Sequence, residues 1–128
     1  MIQDIPVPYD SALQSPIPTI WRDTIVLIVE AFKDKDFARL NTIPDVQFID
    51  LEYALELAES IVNYGAHLIS LSKDAWDTSV CLYMQNDFWI AIIDLFTVEE
   101  GRSDLILDLR IFKKENQFEF QINGIYVP

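Results

Sequence analysis

A two-layer α+β fold, with two helices in the N-terminal half packed on a four-stranded antiparallel β-meander, is predicted by three observations. Apolar residues recur at helical spacing up to Gly65 and at a spacing of two from Asp77 onward. The period-two runs are joined by short turn-like segments, and strands so closely connected pair antiparallel. The chain has 128 residues, the length of one domain, with 51% hydrophobic and 23% charged residues, so it can bury a core without metal or disulfide staples. The single domain 1–128 divides into an arm (1–18), a helical half (19–65) and a sheet (78–128).

The arm carries Pro6, Pro8, Pro16 and Pro18. Proline lacks an N–H and restricts its predecessor, so residues 1–18 are expected to be extended. A helix is predicted from Pro18 or Thr19, where the missing N–H costs nothing. Trp21, Ile25, Ile28 and Phe32 share one face, Val26, Leu27 and Val29 widen it, and Lys33-Asp34-Lys35-Asp36 ends it. Phe37–Leu40 suits a helical turn, Pro44 breaks regular structure, and Val46–Ile49 suits a short edge strand. The second helix runs from Asp50, a carboxylate suited to capping the first turn, to Gly65, a natural terminator. Its expected apolar face is Leu51, Ala54, Leu55, Ala58, Ile61 and Val62, opposite Glu52, Glu56, Glu59 and Asn63. Ala66–Leu71 reads as a short strand or an irregular packed segment.

Strands are expected over Thr78–Gln85, Phe88–Thr97, Asp104–Lys113 and Phe118–Asn123, the last extended by Ile125-Tyr126-Val127. Asn86-Asp87, Val98–Ser103 and Glu115-Asn116-Gln117 are the connections. Phe88–Thr97 is apolar on both faces and is placed centrally. Phe118, Phe120 and Ile122 point inward, and Glu119, Gln121 and Asn123 outward. Four strands leave two edges at which a partner strand can add.

Composition excludes several functions. With 9 Lys+Arg against 21 Asp+Glu the formal net charge is −12, which repels phosphate, so direct nucleic-acid binding is not expected. Cys81 is the only cysteine, which excludes an internal disulfide and suits a reducing compartment. The N-terminus lacks the basic and apolar regions of a signal peptide. The longest apolar runs, Ile25–Val29 and Phe88–Ile93, fall far short of the roughly 18 residues of a membrane span. A cytoplasmic protein without membrane contact is expected.

Chemical constellations are sparse. His67 is the only histidine, so a Ser–His–Asp or Cys–His device would have to use it, and its apolar surroundings suit a structural role. One histidine and one cysteine do not make a zinc site, no calcium loop occurs, and no glycine-rich loop is placed to cradle phosphate. Asp94 and Asp108, on neighbouring strands, are the one candidate acid–base pair; a cross-strand ion pair between Asp94 and Arg110, or a solvated polar row, is the simpler expectation. Trp21, Trp76 and Trp89 suit core packing, with an aromatic ligand pocket near Trp76 and Trp89 as the alternative. No catalytic residue, metal ligand or cofactor is therefore expected.

Charge distribution is more informative. Residues 34–77 hold nine acids against three bases. Glu52 and Glu56 stand four apart on one helix, where like charges repel. The loop Glu99-Glu100-Gly101-Arg102-Ser103-Asp104 is the most charged part of the meander, with Gly101 free to take the positive φ of a tight hairpin. Arg102 is expected to fold back on Glu99, Glu100 or Asp104. Such a surface suits rapid capture of a basic protein, and it equally suits simple solubility.

Several stretches resemble an uncharacterised family of small bacterial proteins. They are Trp76-Asp77-Thr78-Ser79-Val80, then Asp94-Leu95-Phe96-Thr97-Val98-Glu99-Glu100-Gly101-Arg102-Ser103-Asp104-Leu105, and the ending Ile125-Tyr126-Val127-Pro128. Pro18 and Trp21-Arg22 are similar to that family's first helix. The resemblance implies no activity and no catalytic residue. In size, acidity and layered build the chain also resembles immunity proteins of bacterial toxin systems, including contact-dependent growth inhibition. That likeness implies a non-enzymatic protein that binds and neutralises a cognate toxin; the acidic surface suggests a basic nuclease as the target class, since nucleases need positive surfaces for phosphate. The expected contact residues are Glu52, Glu56 and Glu59 on the helix and Glu99, Glu100, Arg102 and Asp104 on the loop. The alternative is a small binding module that recognises a protein or small ligand through the tryptophan pocket.

Overall fold

The computed structural model describes residues 4–128; the first three residues of the predicted arm lie outside the described residues. In chain order the elements are β1 (Gln14–Pro16), α1 (Thr19–Lys33), a 3-10 turn (Phe37–Thr42), α2 (Leu51–Tyr64), α3 (Ala75–Thr78), β2 (Val80–Tyr83), β3 (Phe88–Thr97), β4 (Gly101–Lys114) and β5 (Gln117–Tyr126). The class is α+β, as predicted. The sheet has five strands in the order β1-β2-β3-β4-β5, every neighbour antiparallel.

The additional strand comes from the arm. Ser15 pairs with Cys81, flanked by Gln14 with Leu82 and Pro16 with Val80. A proline-bearing segment is already extended, and proline is tolerated on an edge strand because its missing N–H faces outward. The rest of the arm is tied down by backbone groups: Thr19 N–H donates to Ile5 O at 3.0 Å, and Trp89 Nε1–H donates to Pro8 O at 2.7 Å.

α1 crosses the inner sheet face. Trp21, Ile25, Ile28, Val29 and Phe32 are buried as the periodicity predicts, but Leu27 points outward, 49% exposed. Trp21 meets Trp89 edge to face at 5.7 Å and Phe118 at 5.5 Å. Burying side chains of this size stabilises by roughly 1.5–3 kcal/mol each, which makes this aromatic cluster the anchor between the layers. Lys35 in the left-handed region ends the helix; Asp36 N–H bonds Ala31 O and Lys35 N–H bonds Phe32 O.

Along β3 the alternation is regular. Trp89, Ala91, Ile93 and Leu95 are buried against the helices, while Phe88, Ile90, Ile92 and Asp94 lie half-buried on the outer face. A bulge between Asp94 and Phe96 leaves Leu95 O free of the ladder, and Ser103 Oγ–H fills it at 2.8 Å. β2 is shorter than the predicted Thr78–Gln85. Ala75–Thr78 winds into α3 instead, and Gln85, Asn86 and Asp87 all have positive φ in the turn that follows. β4 starts at Gly101 rather than Asp104. Gly101, at φ 70°, closes the turn directly, so Arg102, Ser103 and Asp104 are strand residues. The charge of this stretch suggested a loop, but charged side chains are tolerated where a hairpin projects beyond the core.

Both outer edges of the sheet are blunted. β1 has three residues and ends in Pro16. Val46–Ile49 forms no strand; Val46 makes one parallel bridge to Phe120, with Gln47 N–H on Phe120 O and Phe120 N–H on Asp45 O, each at 2.8 Å. This short contact occupies the middle of the β5 edge.

Candidate partner-binding surface

α2 carries three of the seven predicted contact residues. Asp50 does not cap it through its carboxylate; its backbone oxygen accepts from Ala54 N–H at 3.0 Å. The C-terminus is closed as expected, with Gly65 at φ 87°, Ala66 N–H on Ile61 O and Gly65 N–H on Val62 O. Glu52, Glu56 and Glu59 are all exposed, and none takes part in an ion pair among the described residues.

The buried face of α2 is rotated from the predicted one. Ala54, Leu57 and Ile61 enter the core, whereas Leu51, Leu55 and Val62 are 56%, 48% and 63% exposed. Apolar residues span more of the helix circumference than one core-facing stripe needs, and that excess is the signal in the sequence. β5 and the 3-10 turn decide which part of the arc is covered. The uncovered part borders a groove of about 490 Å³ whose apolar wall includes Phe32, Phe37, Leu55, Ala58, Val62 and Leu68. Sequence reasoning missed this groove because it placed Leu55 and Val62 in the core. A second recess of about 400 Å³ lies at the other end of α2, between Phe48, Tyr53 and Asn123.

The hairpin supplies the other four predicted residues, all exposed. It is latched to the end of α2. Tyr64 Oη–H donates to Glu100 Oε1 at 2.6 Å and accepts from Asp104 N–H at 3.3 Å. The His67 ring lies 2.7 Å from Glu99 Oε2, and His67 N–H donates to Glu99 Oε1 at 2.9 Å. These bonds hold the Glu99 carboxyl below its usual range, the ring contact being the larger influence. The Glu100 carboxylate in turn pushes the Tyr64 phenol up. Val98 N–H on His67 O and Ile69 N–H on Phe96 O complete the join. Tyr64 therefore joins the hairpin to the helix that carries Glu52, Glu56 and Glu59. Arg102 does not fold back: it forms no ion pair with Glu99, Glu100 or Asp104 among the described residues, because its place in β4 carries it past the turn.

The outer sheet face corrects the expectation for Asp94. Arg110 pairs with Asp108 on its own strand, Nε to Oδ1 at 3.0 Å, and not with Asp94. Asp94 instead accepts from the Thr78 hydroxyl. Asp108 is 1% exposed and also accepts from Tyr126 Oη at 2.6 Å and Asn123 Nδ2 at 3.2 Å. Its burial raises the carboxyl pKa, yet the bonds from Arg110, Tyr126 and Asn123 outweigh that and hold it below the usual range. Gly124 gives the Tyr126 ring room: a Cβ there would meet the ring at 3.1 Å, a tight contact.

The tryptophans pack as expected, and the pocket raised as the alternative is not one of the two recesses found among the described residues. Trp89 is fully buried among Trp21, Tyr9, Tyr83 and Phe118, and Trp76 stacks under the Arg22 guanidinium at 5.1 Å. Neither recess bordering α2 has a tryptophan in its wall. Among the described residues no group of three or more His, Cys, Asp or Glu is placed to hold a metal ion, and no helix is long and apolar enough to cross a membrane.

No curated protein and no solved structure matches the chain. One family model does, over residues 29–128, which spans the last five residues of α1, the α2 surface and the sheet from β2 to β5. The protein thus belongs to the family described as a domain of unknown function, DUF7668.

Proposed function

We propose that this chain is a non-enzymatic immunity protein that binds a cognate bacterial toxin, a basic nuclease domain, and occludes its active surface. The carrying observation is the row Glu52, Glu56 and Glu59, exposed along α2 with no cation paired to it among the described residues. Like charges at this spacing cost the isolated helix a few tenths of a kcal/mol, which a basic partner reverses. The net charge of −12 adds a long-range field that speeds capture of a positive surface. On a nuclease, that surface is the set of Lys and Arg that hold substrate phosphate. Acids docked there block substrate without any chemistry. Arg102 and Asp104 on the latched hairpin extend the contact.

The test is growth protection together with direct binding, using the product of the immediately upstream gene as the candidate toxin. The wild type is expected to form a one-to-one complex that weakens as salt rises, and to protect the host. Glu52→Lys, Glu56→Lys and Glu59→Lys together are expected to abolish both. Full protection by a folded triple variant overturns the acidic-row assignment, and absence of any complex with the wild type overturns the immunity role.

A further inference from the structure

We propose that the groove between the end of α1 and α2 receives the apolar face of a basic amphipathic helix belonging to a protein partner. This deepens the reading above and rests on it for α2 being the partner-facing surface. Leu51, Leu55, Ala58 and Val62 stand at intervals of four, three and four residues, the spacing of a seam that packs against another helix. Leu51, Leu55 and Val62 are nevertheless about half or more exposed, at 56%, 48% and 63%. Leu55, Ala58 and Val62 form the apolar wall with Phe32, Phe37 and Leu68, Leu51 continues the seam beyond it, and the volume of about 490 Å³ falls in the roughly 300–1,000 Å³ range of binding pockets.

Charge selects the occupant. Glu52 and Glu56 each follow a seam leucine by one residue and Glu59 follows Ala58, so an acidic row runs beside the seam for its length. On the opposite rim Lys33 is already engaged, 2.7 Å from Glu30 and 3.6 Å from Asp34, which leaves Lys35, exposed and in no ion pair among the described residues, as a single lysine against the three acids of that row. A helix with Lys or Arg beside its apolar stripe satisfies both. A second copy of this chain does not, because a two-fold contact through α2 sets the same acids against each other. Strand addition is disfavoured as well. β1 ends in Pro16 after three residues, and the middle of the β5 edge is taken by Asp45 and Gln47.

The probe is a fluorescent Leu/Lys amphipathic peptide of about four helical turns, matched to α2. A scrambled peptide of the same composition and a Leu/Glu counterpart serve as controls. Anisotropy with the full chain is expected to show binding of the Leu/Lys helix, at least tenfold weaker binding of the scramble, and none of the Leu/Glu peptide. Leu55→Asp with Val62→Asp, both at exposed positions, is expected to weaken binding at least tenfold while the circular dichroism stays native. Glu52→Gln, Glu56→Gln and Glu59→Gln together are expected to weaken it and flatten its salt dependence.

Equal binding of the scramble, or unchanged binding by the folded Leu55→Asp/Val62→Asp variant, overturns the groove assignment. So does a sedimenting dimer that Val62→Asp disperses, which identifies a second copy as the occupant. The two proposals fail separately. If the aspartate variant keeps full protection against the toxin while charge reversal loses it, only the groove falls. If the peptide binds as expected but the wild type neither binds nor resists the toxin, only the immunity reading falls.

Discussion

Replacing Tyr126 with Phe removes one oxygen atom and tests how the outer sheet face holds a buried carboxylate. Tyr126 Oη lies 2.6 Å from Asp108 Oδ2, and Asp108 is 1% exposed. A hydrogen bond to a charged group contributes about 1.5–3 kcal/mol. Tyr126 is 41% exposed, so water reaches part of the vacated position and the lower end, about 1.5 kcal/mol, applies. Unfolding entropy of about 2.1 cal/mol/K per residue gives roughly 270 cal/mol/K for 128 residues, so Tm is expected to fall by about 5–6 °C. The loss depends on pH. Asp108 has a folded pKa below 3.8, so the stability it contributes is present above the unfolded value, near 3.9, and disappears as pH falls through the lower folded value. The gap between wild type and variant is therefore full at neutral pH and narrows below about pH 4. Thermal melts across this range, with carbon-detected titration of the Asp108 carboxyl, provide the assay; the variant's carboxyl is expected to titrate higher. A Tm change under about 1 °C with an unmoved titration would refute the claim that the phenol helps hold the charge.

Three further outcomes follow from the packing. Leu57→Ala is expected to cost about 2–4 kcal/mol in urea unfolding, whereas Leu55→Ala and Val62→Ala stay within about 0.5 kcal/mol; the reverse order would restore the buried face expected from periodicity. Burial pushes the Cys81 thiol up to about 12, so a thiol reagent at mildly alkaline pH is expected to label it only after unfolding, and rapid labelling of the native protein would show that β1 and β2 part readily. Gly101 has φ 70° and nothing within 4 Å of an added Cβ, so Gly101→Ala carries backbone strain alone. It is expected to cost about 1–2 kcal/mol, and Gly101→Asn less, as equilibrium unfolding would report.

The proposed binding surface was legible in part. Glu52, Glu56 and Glu59 are exposed because charged side chains at those positions have no reason to leave water, and the sequence suffices for that. It also marks Glu99 and Glu100 as a polar turn, but not that Tyr64 and His67 reach across to hold them. The groove beside α2 was hidden for another reason. Leu55 and Leu57 are chemically alike and two residues apart, so periodicity cannot tell which of them faces the core when apolar residues cover so much of the helix. Arg110 shows the same limit: it had two acids within reach of its strand, and the Tyr126 ring over Gly124 is part of what gathers its partner's bonds on Asp108.

What the sequence determined by itself was local. It set the α+β class, the position of α1, the termination of α2 at Gly65, the pairing of β3 with β4 and β4 with β5, and the inward turn of Trp89 and Phe120. Each follows from the spacing of apolar residues and from turn chemistry within a few positions. Only the tertiary structure decided the fifth strand, in which Ser15 meets Cys81, the half of α2 left bare, and the latch from His67 to Glu99. These contacts close loops of tens of residues. No local preference of the chain specifies such a partner; it is chosen by which unpaired backbone groups and apolar surfaces the assembled layers still leave open.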